Sequence, residues 1–313
     1  MSEKKIVVIG ATGQIGSELV VELRKKHGDQ QVVAVSSRSV PKGELANGPH
    51  ETVDATDRDA LKSLFERHCP DTVYHLAGLL SATGEKDPAR AWAVNIGSLT
   101  NVLDLSRDLG VRQVFWPSSI AAFGPTTPRD NTPQNTVLAP TTMYGVTKVT
   151  GELLCQYYWV KYGLDVRSLR YPGLISYKTP PGGGTTDYAV AVYFEAIRNG
   201  NYDFFVGPDT VLPMMYMPDA IRATIELMEA PAEKIKVRTS YNLTAMSFSA
   251  EELAKTVADH VSGFSCSYSP DFRQQIADSW PRSIDDSAAR KDWGWKHEYD
   301  LERMTAEMIK NIK

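Results

Sequence analysis

Tyr144 and Lys148, in Tyr144-Gly-Val-Thr-Lys148, place a phenol and an ammonium four residues apart, on one face of a helix. A phenol with its ordinary pKa of about 10 is a poor base at neutral pH, and a nearby cation favours its ionised form. The pair therefore reads as a proton-transfer group. Ser119 ends an apolar run, Val114-Phe-Trp116, where a strand would stop, and its hydroxyl could hold a substrate oxygen beside that phenol. Far upstream, Gly10-Ala11-Thr12-Gly13-Gln14-Ile15-Gly16 follows Ile6-Val-Val-Ile9 and opens an amphipathic stretch ending near His27. This is the strand–turn–helix setting that a dinucleotide pyrophosphate requires. Gly10 lets the chain turn, Gly13 lets the backbone approach the phosphates, and Gly16 lets the helix pack on its strand. The helix N-terminus then directs amides and a partial positive charge at the anion. Either motif alone is weak. Their joint occurrence, in this order, indicates a nicotinamide site with a built-in proton-transfer group.

The elements that must position these residues alternate. Strands are expected at 5–9, 31–36, 50–53, 72–77, 112–118 and 165–170, and helices at 14–27, 57–68, 87–109 and 142–162. Asp57 is a cap for the second helix and Asp87-Pro88 opens the third. Such alternation predicts an α/β, doubly wound parallel sheet covered on both faces. Its ligands would sit at the C-terminal edge of the strands. After Tyr171 the texture changes. Lys178-Thr-Pro-Pro-Gly-Gly-Gly-Thr-Thr186 is too rich in glycine and proline for a regular element. Helices at 187–199, 218–229, 249–261 and 300–311 and strands near 203–206 and 211–216 follow. The expected division is a dinucleotide-binding domain over 1–171 and a smaller α/β substrate domain over 172–313, whose last segments could return to the first.

The chain has 313 residues, 42% of them hydrophobic, enough for one large domain or a large and a small one. A net charge of −4 gives no reason to expect nucleic acid or an anionic membrane as partner. The cysteines Cys69, Cys155 and Cys266 are odd in number and lack metal-ligand spacing, so core or half-buried thiols and no metal site are expected. A reducing compartment follows. No apolar run approaches the roughly 20 residues of a membrane helix. Met1-Ser-Glu-Lys-Lys5 leads directly into the first strand without room for a signal segment. A cytoplasmic location is expected, or the mitochondrial matrix if a leader has been removed.

The glycine turn, His75-Leu76-Ala77-Gly78, Asn95, Ser119 and the Tyr144–Lys148 pair together resemble the extended short-chain dehydrogenases/reductases, the branch that includes sugar-nucleotide epimerases. Several further segments are similar to the short-chain-type L-threonine 3-dehydrogenases. They are Arg170-Tyr-Pro-Gly-Leu-Ile-Ser176, Pro181-Gly-Gly-Gly-Thr-Thr-Asp-Tyr-Ala189, Leu212-Pro-Met-Met-Tyr216, Ala245-Met-Ser-Phe-Ser249, Ser279-Trp-Pro281 and Asp285-Asp-Ser-Ala-Ala-Arg-Lys-Asp-Trp-Gly-Trp295. The resemblance covers nearly the whole chain. It implies NAD as cofactor, L-threonine as substrate, 2-amino-3-oxobutyrate as product and a homodimer built on helices 87–109 and 142–162. It also implies that the cofactor lies against Gly10 to Gly16, Ser36, Ser37, Arg38, Asp54, Ala55, Leu76, Ala77, Gly78, Asn95, Tyr144, Lys148, Tyr171 and Leu174.

One departure matters. Folds of this kind usually end the second strand with an acidic residue that binds the adenosine ribose. Here Val35-Ser36-Ser37-Arg38 occupies that place. The serines suit a ribose 2′-hydroxyl and Arg38 suits a 2′-phosphate. A phosphate usually calls for more than one cation, and only Arg38 is adjacent, so NAD is expected to be favoured.

For the substrate, Ser119 and Tyr144 would hold the reacting hydroxyl. Thr185, Thr186 and the amides around Gly184 could bind a carboxylate, Ser81 lies at the productive edge, and Trp280 could cover the site. Blander roles compete. Ser81 would equally cap the next turn and Trp280 would be core. His75 reads as a satisfied core histidine, Tyr157-Tyr-Trp159 as packing, and Asp285-Asp286 as a helix cap without a partner. The glycine run predicts a loop that its own contacts cannot hold rigid, suited to a substrate lid. The rival functions are a sugar-nucleotide epimerase or dehydratase, which would need a longer groove, and a dinucleotide-sensing regulator, which would not need the tyrosine–lysine pair.

Overall fold

The computed structural model describes residues 4–312, so the expectation for the first three residues lies outside the described residues. The apolar runs become a seven-stranded sheet. Six strands are β1 (Ile6–Ile9), β2 (Val32–Ser36), β3 (His50–Thr52), β4 (Thr72–His75), β5 (Gln113–Ser119) and β6 (Asp165–Tyr171). All pairings are parallel, in the order Tyr241–Asn242, β6, β5, β4, β1, β2, β3. The winding reverses between β1 and β4, which pair Ile9 with His75. A crevice opens beyond the carboxyl ends of the strands at such a reversal. β1 and β2 are buried along their whole length, which is why they read as unbroken Val/Ile runs and not as alternation.

Helices α1 (Gln14–His27) and α2 (Arg58–His68) follow their strands, the second capped by Asp57, whose carboxylate accepts from the amides of Asp59 and Ala60. The stretch expected as one helix over 87–109 is divided. A short α3 (Ser81–Lys86) precedes α4 (Pro88–Trp92), then a wider π-helical turn at Ala93–Gly97, then α5 (Ser98–Asp108). The long α6 (Met143–Tyr162) is capped by Thr142 and lies flush on β5, because Gly151 has no Cβ; one built there would be 2.3 Å from the Trp116 ring.

Helices α2, α5 and α6 cover one face of the sheet around Phe65, Leu103 and Tyr158. The other face packs against α1 and a helix from the second half, α8 (Met217–Glu229), with Tyr241 and Trp295. Residues 217–243 and 289–295 thus contribute to the core of the large sheet. A separate core surrounds α7 (Tyr188–Asn199), with a three-stranded sheet of Met246–Ser249, Val211–Tyr216 and Gly173–Ile175 and a pair formed by Asn201–Phe204 and Ser265–Tyr268. Short helices at Phe272–Asp278 and Ser287–Trp293 were not foreseen. Asp285 accepts from the Ser287 amide, as a cap should. Asp286 is not partnerless: it pairs with Arg290 at 2.6 Å and accepts from the Trp295 indole at 3.0 Å. Cys155 is buried, but Cys69 and Cys266 are exposed, against the expectation of half-buried thiols. Among the described residues no helix is long and apolar enough to cross a membrane.

Candidate active site

The glycine turn crosses the sheet edge at the reversal. Gly10 has φ +84°, and a Cβ there would stand 2.7 Å from the Ala77 amide nitrogen; one at Gly16 would stand 2.2 Å from the Gly10 carbonyl. The N-terminus of α1 has no side-chain cap at Gly13 and no acidic residue in its first turn. Its amides are therefore left to an anion, which is what a pyrophosphate needs. The residues fit a dinucleotide.

A groove runs from this turn in both directions. Toward β2 it is lined by Gly10, Thr12, Gly13, Ser36, Ser37, Arg38, Asp54 and Ala55. Toward α6 it is lined by Gln14, Ile15, Ser81, Ser119, Tyr144, Lys148, Tyr171, Leu174, Gly184, Thr185, Thr186 and Trp280. Leu76, Ala77 and Gly78 line both halves, so the two are continuous. Three expected residues do not face it. Ala11 and Gly16 lie under the turn. Asn95, in the π-helical turn, accepts from the Leu79 amide at 2.7 Å and donates to the Leu79 carbonyl and the Thr147 hydroxyl. It shapes the wall from behind. Thr56 and Arg90 line the β2 half and Asp187 the α6 half. Arg90 was missed because nothing in the sequence tells which turn of its helix faces the groove.

At the α6 end the reacting groups converge. Ser119, whose hydroxyl accepts from the Ala121 amide at 3.2 Å, lines this end beside Tyr144, and the Lys148 ammonium sits 5.2 Å from the Tyr144 ring and 4.5 Å from that of Trp116, donating to the Pro117 carbonyl at 2.6 Å. Burial pushes Lys148 down to about 7, opposed by Glu152 one turn further along α6. Burial also pushes the Tyr144 phenol up to about 12, with Ser119 pulling it down. The expected lowering of the phenol is therefore not present in the chain alone, since desolvation outweighs the pull of Ser119. Behind Lys148 lies a buried network. Arg170 forks onto Glu152 at 2.8 and 2.6 Å, and Ser118 donates to the same carboxylate at 2.5 Å.

The glycine loop is held more firmly than its composition suggests. The Asp187 carboxylate accepts from the amides of Gly183 and Gly184 at 2.7 and 2.8 Å, so the Gly184 amide expected for the substrate is already taken. Ser176, at the base of the loop, donates to Glu18 on α1 at 2.5 Å. Thr185, by contrast, is buried with its hydroxyl unpartnered. Such a group is costly unless something pairs with it. Ser81 is buried and makes no capping bond. Trp280 belongs to the second core and also lines the groove. His75 is buried but only half satisfied: Nε2 pairs with Ser98 at 2.9 Å and Nδ1 has no partner. Ser36 does not offer its hydroxyl to a ribose, because it contacts the Ser39 carbonyl and, at 2.9 Å, His50.

The model of the NAD dependent epimerase/dehydratase family matches residues 6–243. The chain belongs to this family. An uncharacterized epimerase/dehydratase of Staphylococcus haemolyticus is 51% identical over 312 residues, 99% of this chain and 98% of that protein. Among solved structures, a GalE-like L-threonine dehydrogenase from Cupriavidus necator, in holo form, is 55% identical with a TM-score of 0.96, covering 99% of this chain and 100% of that one. A monomeric L-threonine 3-dehydrogenase from a metagenome is 49% identical with a TM-score of 0.95, covering 98% of each chain.

Proposed function

We propose that this protein oxidises the 3-hydroxyl of L-threonine to give 2-amino-3-oxobutyrate, with NAD as the hydride acceptor. The observation that carries the reading is the convergence of Ser119, Tyr144 and Lys148 at one end of a groove whose glycine turn fits a pyrophosphate. NAD, when bound, accepts the hydride and brings a positive ring to the site. Tyr144 takes the hydroxyl proton as the C–H bond breaks. Ser119 donates to the substrate oxygen and orients it toward the phenol. The Lys148 ammonium favours the phenolate, helped by the cofactor's charge. The unpartnered Thr185 hydroxyl, with Thr186 and Ser81, supplies polar contacts for a small zwitterion in an otherwise dry pocket. Trp280 excludes water from above.

The loop over 178–187 opens about its Ser176–Glu18 base and closes over the substrate, with the Asp187–glycine clamp moving as a unit. Domain 1–171 holds the cofactor, and 172–313 mainly the substrate. A second copy docks on α6, where Val146, Leu153, Tyr157 and Val160 are exposed along one stripe of a helix that is apolar on more than one face. The working compartment is cytoplasmic.

The deciding experiment offers L-threonine or a UDP-sugar together with NAD and follows absorbance of the reduced cofactor. Threonine-dependent reduction is expected. Conversion of the sugar nucleotide without net reduction, and no response to threonine, would overturn the reading in favour of an epimerase.

A further inference from the structure

We propose that the adenosine end of the groove also takes a 2′-phosphorylated dinucleotide, with Arg38 and Arg90 as the phosphate clamp. The inference rests on the dinucleotide reading above and extends it to the second cofactor class. It begins with what β2 lacks. A carboxylate at the end of this strand binds the ribose hydroxyls and repels a phosphate in their place. Here the strand ends in Ser36, whose hydroxyl is committed to His50 and the Ser39 carbonyl, followed by exposed Ser37 and Arg38. The repulsion of a phosphate is therefore missing, and the exposed Ser37 hydroxyl can meet either a 2′-hydroxyl or a phosphate oxygen.

The opposite wall supplies a second cation. The Asp87 carboxylate caps α4 through the Arg90 amide at 3.0 Å, and the Arg90 side chain lines the same half of the groove as Arg38 and Ser37. Neither guanidinium has an ion pair among the described residues, although most other arginines of the chain do. The charged residues lining this half are Arg38, Asp54 and Arg90, a balance of two cations against one anion. One oxygen of Asp54 is committed to the Thr56 amide and hydroxyl at 2.9 and 2.8 Å. A phosphate monoester carries close to two negative charges at neutral pH and is bound well by the planar fork of arginine. Two arginines without a contact ion pair among the described residues, both near enough to act on Asp54, and the Ser37 hydroxyl line one space where a ribose would lie, and they are the donor set that such a group requires.

The test compares adenosine 2′,5′-bisphosphate with AMP by titration calorimetry on the full chain, with NAD as control. The bisphosphate is expected to bind about tenfold more tightly at low salt, and the gap should narrow as salt rises, because exposed pairs are screened. In Arg38→Ala and in Arg90→Ala the ratio of the two dissociation constants should fall at least about threefold, and Ser37→Asp should abolish the preference. Kinetically, NADP should support threonine oxidation with kcat/KM within about tenfold of NAD. If NAD and AMP bind while the 2′-phosphate adds nothing, the clamp is refuted and the dinucleotide site stands. If Arg38→Ala weakens both nucleotides equally, Arg38 packs on the base and the clamp is likewise refuted. If none of these ligands binds, the dinucleotide reading itself falls.

Discussion

Replacing Glu152 with glutamine preserves shape and removes one buried charge, so it isolates what the network behind Lys148 contributes. Glu152 is fully buried and Arg170 is 3% exposed, joined by bonds of 2.8 and 2.6 Å. Removing one member of such a pair leaves the other charge uncompensated and costs about 3–5 kcal/mol. Arg170 retains only neutral acceptors, the Asn242 side chain and the Gln134 carbonyl, so Glu152→Gln should fall in that range. Arg170→Met should cost less. The carboxylate it strands still faces Lys148, whose ammonium it stabilises. The double variant Glu152→Gln/Arg170→Met should be more stable than the sum of its single changes predicts, because neither member of the pair is left stranded by loss of the other. Urea unfolding followed by tryptophan fluorescence measures all of these. Without Glu152, Lys148 should also drop from about 7, so turnover at neutral pH should fall even where the variant is folded. A Glu152→Gln variant within about 1 kcal/mol of the parent, or a double variant that loses the full sum, would refute the reasoning.

Tyr144→Phe should retain cofactor binding and lose about 10²–10⁴-fold in turnover; activity within twofold of the parent would remove the phenol from its role. Lys148 is held at about 7 in the fold against 10.5 when unfolded, so between those values the unfolded chain binds more protons and stability rises with pH. Lys148→Met should therefore be more stable than the parent below pH 7, by at most about 5 kcal/mol, and lose that advantage toward pH 10, as thermal melts across the range would show. Hydrogen exchange over 178–187 should slow when threonine joins the cofactor, and Thr185→Val should raise KM for threonine; unchanged exchange with unchanged kinetics would make the loop a linker. Val160→Glu, at a position 74% exposed, should halve the mass in solution by light scattering, whereas a parent that is already a monomer would refute docking through α6.

The sheet and its helices were legible because burial on both faces writes itself as Val/Ile runs and the covering helices as amphipathic stretches. The strand at Tyr241–Asn242 was not, since two residues carry no period, and only the pairing with β6 defines it. Tyr144, Lys148 and Ser119 were legible through spacing on single elements. Arg90 was not, because its place depends on how α4 meets the sheet edge. Composition misled at two points. Three consecutive glycines suggested a loop without internal support, yet Asp187, close in sequence, supplies it. Ser36 suggested a ribose contact, yet His50 from the neighbouring strand β3 already pairs with it.

The π-helical turn at Ala93–Gly97 adds a constraint of length. A π turn absorbs one residue more than an α turn and leaves the helices on either side in nearly the same phase, whereas deleting a residue from the regular helix that follows, Ser98–Asp108, would rotate everything before the deletion by about 100°. Pro88–Trp92 would swing with it, carrying Arg90 away from the groove, while Asn95 would lose its grip on Leu79 and Thr147. Substitutions on the outer face of this helix touch little. A one-residue deletion would change both ends of the site at once, so this stretch is far more tolerant of altered spelling than of altered counting.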